Sequence, residues 1–236
     1  MIEEAIILAG GFGTRLQPLV GTTPKPMAVV NGKPFLHYLL QYLRFYNVAK
    51  VVLSVSPLSK SIEEYFGNEY QGMTLNYAYE YEPLGTGGGI LNAMQQCTSS
   101  NVLVLNGDTL FSVDLYQLNE FHKKHASQIT LALKYYDDVG RFGKVGLDNR
   151  FRIISFEEKK EESKREGCIS GGVYLFNREL FSSINFPKAF SIEKDFFEKY
   201  YEHINFSGFV SNKYFIDIGI PEDYLRAQNE FKTYQF

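Results

Sequence analysis

A glycine-rich loop followed by two cationic side chains is the strongest chemical signal in this sequence. The segment LAGGFGTRL occupies residues 8–16, and TPKPM occupies residues 23–27. The glycines let the backbone turn sharply and bring N–H groups close to phosphate oxygens. Arg15 can bridge two such oxygens, and Lys25 adds a second cation on a loop that the neighbouring prolines stiffen. The pattern therefore predicts a site for a polyphosphate.

Two common phosphate-binding motifs do not fit this loop. Residues 11–16 begin like a dinucleotide fingerprint, but the third glycine is missing, and a G-x-G pair alone is a weak signal. No Gly-Lys pair is followed by serine or threonine, which excludes a Walker A loop. A nicotinamide-dependent oxidoreductase is therefore a weaker alternative.

Two aspartates are candidate ligands of a metal ion. Asp108 ends the segment NGD after the apolar run VLVL, and Asp217 lies in the apolar run YFIDIGI. A carboxylate at the carboxyl end of a strand can hold a hard cation over a triphosphate. An unpaired carboxylate in an apolar run is costly, and a role as a Mg²⁺ ligand removes that cost. Taken alone, Asp108 also suits an ordinary turn.

Glu80 is a candidate for recognising a nucleobase. It follows a predicted strand and precedes a glycine run that starts at Gly85, where a base could approach the backbone closely. A carboxylate can accept from both N1–H and the 2-amino group of guanine, a pair of donors that uracil, thymine and cytosine lack. The alternative is that Glu80 and Glu82 are exposed acids at the end of a strand.

Alternating strand and helix patterns are expected to bring these residues to one edge of a sheet. Short apolar runs predict strands, and apolar residues at helical spacing predict helices. Strands are predicted at 4–8, 50–55, 75–79 and 102–105, and helices at 35–45, 61–66, after the glycines at 85–89, and at 115–124. This order predicts an α/β fold with a Rossmann-like, mixed but mostly parallel sheet and helices on both faces. Ligands of such sheets bind outside the carboxyl ends of the strands.

The second half of the chain shows a different pattern. Strands are predicted at 129–135, 144–147, 153–156 and 172–176, and helices at 192–201 and 221–231. Short turns between the strands predict a partly antiparallel lobe, which we expect to cover the open side of the first sheet. A length of 236 residues suits a single domain, 1–236.

The motif LAGGFGTRL…TPKPM resembles the signature of the sugar-1-phosphate nucleotidyltransferase family, and the resemblance runs from Ala5 to about Phe231. It implies the nucleotide-diphospho-sugar transferase fold, with a nucleotide-binding half at about 1–128 and a sugar-binding half at about 129–236. It also implies transfer of a nucleotidyl group from a triphosphate to a sugar 1-phosphate with Mg²⁺. The stretch YEYEPLGTGGGI is most similar to guanylyltransferases that use GTP, first those for D-glycero-D-manno-heptose 1-phosphate and then those for mannose 1-phosphate. Thymidylyl-, uridylyl- and cytidylyltransferases remain alternatives, as does a catalytically silent sugar-nucleotide sensor.

The resemblance also implies roles for individual residues. The catalytic cations are Arg15, Lys25 and Lys159, and the metal ligands are Asp108 and Asp217. Nucleotide-binding residues are Leu8, Ala9, Gly10, Gly11, Gly13, Thr14, Glu80, Pro83, Gly85, Thr86, Gly107 and Asp108. Sugar-phosphate-binding residues are Asn106, Glu158, Lys159, Ser170, Gly171 and Gly172. Two positions depart from the family pattern, since Lys160 replaces the usual proline after Lys159 and Ile220 stands where threonine is common.

Composition and charge argue against nucleic acids and membranes as binding partners. The chain is 44% hydrophobic and 22% charged, with a net charge of −3, and it therefore lacks the basic balance of a nucleic-acid-binding protein. No stretch approaches the roughly 20 apolar residues of a membrane span, and the first residues do not resemble a signal peptide. Cys97 and Cys168 lack metal-ligand spacing and are expected to be thiols, which favours a cytoplasmic protein. Homo-oligomerisation is left open.

Overall fold

A computed structural model of the chain describes residues 1–11, 16–139, 143–157, 166–182 and 184–234, with the side chain of Leu58 outside this set. The strands are β1 (Glu4–Leu8), β2 (Val29–Val30), β3 (Lys33–Pro34), β4 (Lys50–Val55), β5 (Glu69–Tyr70), β6 (Met73–Tyr79), β7 (Asn101–Asn106), β8 (Thr109–Phe111), β9 (Ile129–Tyr136), β10 (Lys144–Leu147), β11 (Ile153–Glu157), β12 (Gly167–Asn177), β13 (Phe206–Val210) and β14 (Phe215–Asp217). The α-helices are α1 (Gln17–Val20), α2 (Phe35–Phe45), α3 (Lys60–Phe66), α4 (Gly85–Met94), α5 (Leu115–Lys124), α6 (Glu198–Tyr200) and α7 (Pro221–Glu230). Short 3-10 turns span Lys25–Met27, Pro57–Ser59 and Arg178–Ser182, and a π-helix spans Ile192–Phe197.

A mixed sheet forms the centre of the fold. Its strand order is β11-β10-β12-β7-β1-β4-β6-β5, and β9 pairs with both β12 and β13. The four strands β7, β1, β4 and β6 are parallel to one another. Their carboxyl ends therefore meet at one edge of the sheet, as the sequence predicted.

Helices cover both faces of this sheet. Alternate residues of a strand point to opposite sides, so apolar strands offer a surface for helices on each face. Ile7 of β1 belongs to one core cluster and Ile6 to the other. The first cluster includes buried residues of α2, α3, α5 and α7, whereas the second includes those of α4 and the π-helix. The predicted α/β fold with helices on both faces is thus confirmed. Across the described ranges, no helix is long and apolar enough to cross a bilayer.

The strands of the second half extend the sheet, so the prediction that they would cover it was wrong. β12 pairs antiparallel with β7, with Val173 opposite Leu105. β10 and β9 then pair with β12, and β11 pairs with β10. Without β12, one side of β7 would be an open edge with unpaired N–H and C=O groups, which pairing within the same sheet satisfies.

Two helical segments differ from the prediction. α4 starts at Gly85 and contains the glycines that were expected to precede it. Glycines cost a helix about 1 kcal/mol each relative to alanine, but here they allow close packing, since a Cβ on Gly87 would collide with the Phe190 ring. The predicted helix at 192–201 begins instead as the π-helix, in which Phe196 and Phe197 are buried.

An ion pair closes the sheet at the edge opposite the carboxyl ends of the parallel strands. Glu4 is 5% exposed and accepts from Lys50 Nζ at 2.8 Å and from the backbone N–H groups of Thr98 and Ser99 at 2.7 and 2.6 Å. Burial alone would raise the pKa of this carboxyl, but the hydrogen bonds outweigh it and lower the pKa from 4.5 to about 2.

Because the folded pKa of Glu4 lies below the unfolded one, its contribution to stability is present above pH 4.5 and is lost as the pH falls towards 2. We expect Glu4→Gln to lower the free energy of unfolding by on the order of 3 kcal/mol at neutral pH. Urea denaturation at about pH 6 and about pH 3 should show the difference from the unmodified protein shrinking at the lower pH. Glu3→Gln, at an exposed neighbouring position, is the matched control. A difference that stays constant over this range would contradict the assignment.

Candidate active site

A cleft of about 690 Å³ lies at the carboxyl ends of the parallel strands. Loops after β1, β4, β6 and β7 contribute to its walls, which is the expected position of a ligand site in such a sheet. Predicted site residues that line it are Leu8, Gly10, Gly11, Lys25, Glu80, Pro83, Gly85, Thr86, Asn106, Gly107 and Asp108. Motifs that are far apart in the sequence are thus brought to one cavity.

Glu80 lines the cleft at the end of β6 with its carboxylate held in place. The Ser54 hydroxyl donates to Glu80 Oε1 at 2.5 Å, and the Glu80 backbone N–H donates to the Val55 carbonyl at 2.8 Å. A Cβ on Gly89 would lie 2.7 Å from the same carboxylate oxygen, so α4 approaches Glu80 closely only because glycine stands there. A carboxylate oxygen has more than one acceptor site, and Glu80 therefore keeps capacity for donors of a ligand.

The start of α4 forms the adjoining wall and is held by the segment that precedes the π-helix. Gly85 has a φ of +68°, a conformation that L side chains rarely adopt, and a Cβ there would lie 2.5 Å from the Phe190 carbonyl oxygen. The Gly87 N–H donates to the Phe190 carbonyl, and the Phe190 N–H donates to the Leu84 carbonyl, both at 2.9 Å. Gly85 and Thr86 are consequently presented to the cleft on a rigid turn.

The two predicted metal ligands lie together, with Asp108 in the wall at the other end of the cleft and Asp217 beside it. The small sheet of β8 and β14 pairs Asp217 with Thr109, next to Asp108, and the Ile218 N–H donates to the Asp108 carbonyl at 2.9 Å. Lys25 Nζ donates to Asp108 Oδ2 at 2.5 Å. A Cβ on Gly219 would lie 2.8 Å from Asp217 Oδ1, 3.4 Å from Lys25 Nζ and 3.5 Å from Asp108 Oδ2. One ammonium and two carboxylates therefore surround a single point.

Two carboxylates suit Mg²⁺ better than they suit a metal ion that takes all of its ligands from the protein. Among the described residues, no group of three or more His, Cys, Asp or Glu side chains could hold a metal ion. Mg²⁺ commonly takes one or two carboxylates and completes its shell with water and substrate phosphates. The donor set of Asp108 and Asp217 suits an ion that arrives with a triphosphate.

The predicted sugar-side turn lies in β12, beside Asn106. Gly172 has a φ of +68°, and a Cβ there would lie 2.9 Å from Asn106 Nδ2. A Cβ on Gly171 would collide with the Phe111 ring. The pairing of β12 with β9 shifts register between Ser170 and Tyr174. These glycines thus let an irregular strand approach the carboxyl end of β7.

Several predicted residues stand apart from the cleft or cannot be placed. Ala9 is fully buried and its N–H donates to the Ser54 carbonyl at 2.8 Å, so it supports the loop from behind. Ser170, Gly171, Gly172 and Asp217 do not line the cavity itself. The predicted residues Gly13, Thr14, Arg15, Glu158 and Lys159 lie outside the described residues.

Sequence reasoning missed part of the lining of the cleft. Ser56 and Pro57 follow β4, Tyr81 and Glu82 follow Glu80, and Pro26 follows Lys25. Position after a predicted parallel strand was the available signal for Ser56 and Pro57. Tyr81 is 85% exposed at the rim of the cleft, which composition could not indicate.

The family model for nucleotidyl transferases matches residues 4–233. The chain belongs to this nucleotidyl transferase family. A family member from Aneurinibacillus thermoaerophilus, described as D-glycero-alpha-D-manno-heptose 1-phosphate guanylyltransferase, is 47% identical over 98% of this chain and 99% of its own. A protein of the same description from Campylobacter jejuni is 42% identical over 94% of this chain and 96% of its own.

A solved structure shares the fold of this nucleotidyl transferase. The crystal structure of HddC from Yersinia pseudotuberculosis complexed with GMP-PN superimposes with a TM-score of 0.85 at 35% identity, covering 98% of this chain and 100% of that one.

Both cysteines of the chain are free thiols, Cys97 buried and Cys168 partly exposed.

Proposed function

We propose that this protein transfers a guanylyl group from GTP to D-glycero-D-manno-heptose 1-phosphate, giving GDP-heptose and pyrophosphate. The choice of GTP rests on the Glu80 carboxylate, which lies at the wall of the cleft and accepts a hydrogen bond from Ser54. Two acceptor oxygens in one plane match the N1–H and 2-amino donors of guanine. The descriptions of the Aneurinibacillus and Campylobacter relatives, and the GMP-PN bound by the Yersinia protein, support this choice.

The proposed reaction is an in-line displacement at the α-phosphorus of GTP. A phosphate oxygen of the sugar 1-phosphate forms the new bond to that phosphorus. The bond to the oxygen bridging to the β-phosphorus breaks, and its electron pair leaves with pyrophosphate. Because the nucleophile is already an anion, the site needs positioning and charge neutralisation more than a strong base.

Lys25 and the two aspartates supply the charges that this step requires. Asp108 and Asp217 would hold Mg²⁺, which when bound neutralises charge on the phosphates. The Lys25 ammonium pairs with Asp108 at 2.5 Å and lines the cleft, so it could turn towards the triphosphate. We assign a similar role to Arg15, which follows Gly10 and Gly11 in the sequence. These two glycines line the cleft and would let backbone N–H groups approach phosphate oxygens.

The sugar side of the proposed site is built around β12. Asn106 lines the cleft and adjoins Gly172, so an incoming ring would lie in the cleft against Asn106, with residues 170–172 of β12 behind it. We assign contacts with the sugar and its phosphate to Asn106, to this turn and to Glu158 and Lys159. Because the reaction joins two polyanions, a cation such as Lys159 would lower their repulsion by neutralising the sugar phosphate.

Pyrophosphate release with Mg²⁺ tests the proposal directly. GTP, dTTP, UTP and CTP would each be combined with heptose, mannose and glucose 1-phosphates. We expect release with GTP and the heptose phosphate to exceed every other pair in kcat/KM. Preference for mannose 1-phosphate would replace the sugar and keep the guanylyltransferase, whereas preference for another triphosphate would overturn the role of Glu80. Absence of release with all pairs would favour a silent sugar-nucleotide sensor.

A further inference from the structure

A half-buried glutamate links the nucleotide side of the cleft to the sugar side. Glu193 lies in the second position of the π-helix. Its Oε2 accepts from the hydroxyls of Thr86 and Ser191, both at 3.2 Å, and its Oε1 accepts from the Tyr174 hydroxyl at 3.4 Å. Thr86 belongs to the nucleotide-side wall, and Tyr174 belongs to β12, so one carboxylate joins the two sides.

Tyr174 passes this connection on to the proposed sugar-binding residues. Its side chain is fully buried between the sheet and the π-helix, and burial raises the pKa of its hydroxyl far above the usual value. Tyr174 follows the proposed sugar-side residues 170–172 in β12, at the end of the segment where the pairing of β12 with β9 shifts register.

The geometry of the backbone is consistent with a dedicated role for Glu193. π-Helical turns are rare and occur often at functional sites. Here the turn starts at Ser191, whose hydroxyl accepts from the Lys194 N–H at 3.2 Å, and buried phenylalanines anchor its far end. The irregular turn thereby holds the Glu193 carboxylate between Thr86 and Tyr174.

We propose that Glu193 is a positioning residue that orders the sugar-binding side of the cleft through Tyr174. This inference rests on the proposed function, whose substrates define the two sides. The nucleotide side depends on Glu193 less, because the Gly87, Phe190 and Ile192 N–H groups also tie α4 to the neighbouring segment. On the sugar side, the bond that the Tyr174 hydroxyl donates goes to Glu193.

Steady-state kinetics of Glu193→Gln, Tyr174→Phe and the double variant test the inference. We expect each single variant to raise KM for the sugar 1-phosphate about tenfold, with KM for GTP changed less than about twofold and an unchanged melting temperature. The double variant should be no worse than either single one, because both remove the same connection. Glu198→Gln, an exposed position just beyond the π-helix, is the matched control and should behave like the unmodified protein.

Four outcomes would overturn the inference. Equal increases in both KM values with a lower melting temperature would show that Glu193 only stabilises the fold. Unchanged kinetics, or effects that add in the double variant, would show that Glu193 and Tyr174 do not act together. If the unmodified protein itself released no pyrophosphate, the proposed function would fail, and the inference that rests on it would fail too.

Discussion

Replacing Asp108 with asparagine is expected to lower kcat by about a thousandfold, which corresponds to about 4 kcal/mol of transition-state stabilisation. The substitution removes one of the two carboxylates that converge beside Gly219, and with it the partner of Lys25. An amide is a weaker ligand for a hard cation and carries no charge to oppose that of the metal. Pyrophosphate release measured over a range of Mg²⁺ concentrations checks this expectation.

Asp114→Asn provides a control with the same chemical change. Asp114 caps α5 by accepting from the N–H groups of Tyr116 and Gln117 at 2.9 and 3.0 Å, and asparagine is an equally good cap. This variant should keep nearly full activity and stability. An Asp108→Asn protein that folds and turns over near the normal rate at saturating Mg²⁺ would remove Asp108 from the proposed metal site.

Glu80→Gln is expected to lower kcat/KM for GTP about a hundredfold, equivalent to about 2.7 kcal/mol, as for the loss of a hydrogen bond to a charged group. Glutamine keeps one acceptor, which Ser54 can still occupy, but it replaces the other carboxylate oxygen with a donor that faces the donors of guanine. The same measurement with ITP, which lacks the 2-amino group, isolates this contact. The unmodified protein should prefer GTP to ITP, and the variant should lose most of that preference.

Glu82→Gln is the matched control for this prediction. Glu82 lies two residues further along the same loop and forms an exposed ion pair with Lys188. Exposed ion pairs contribute little, so we expect a change of less than about twofold with either triphosphate. If Glu80→Gln and Glu82→Gln gave equal losses, recognition of guanine could not be assigned to Glu80.

The elements whose signal is local could be predicted from the sequence. β1, α2, β4 and α5 have the bounds that their hydrophobic patterns indicated. The reason is that burial of a strand or of one helix face leaves a pattern in neighbouring residues. A motif, or a position after a predicted strand, is also a local signal. It identified the glycine loop, Lys25, Glu80 and Asp108.

Contacts between distant segments could not be predicted in this way. The placement of Asp217 beside Asp108 depends on the pairing of β14 with β8, two short strands that the sequence did not indicate. The glycines of α4 were expected before the helix, because their propensity is unfavourable and the contact with Phe190 that compensates for it lies far along the chain.

Motifs in the sequence by themselves determined the family and the edge of the sheet at which the cleft lies. Only the tertiary structure decided that the second half extends the sheet, that Lys25 and two aspartates converge beside Gly219, and that Glu193 connects Thr86 with Tyr174. Local patterns record which face of an element is buried. The partner of that face is chosen by the summed packing and hydrogen bonding of the whole chain, which leaves no mark at any single position.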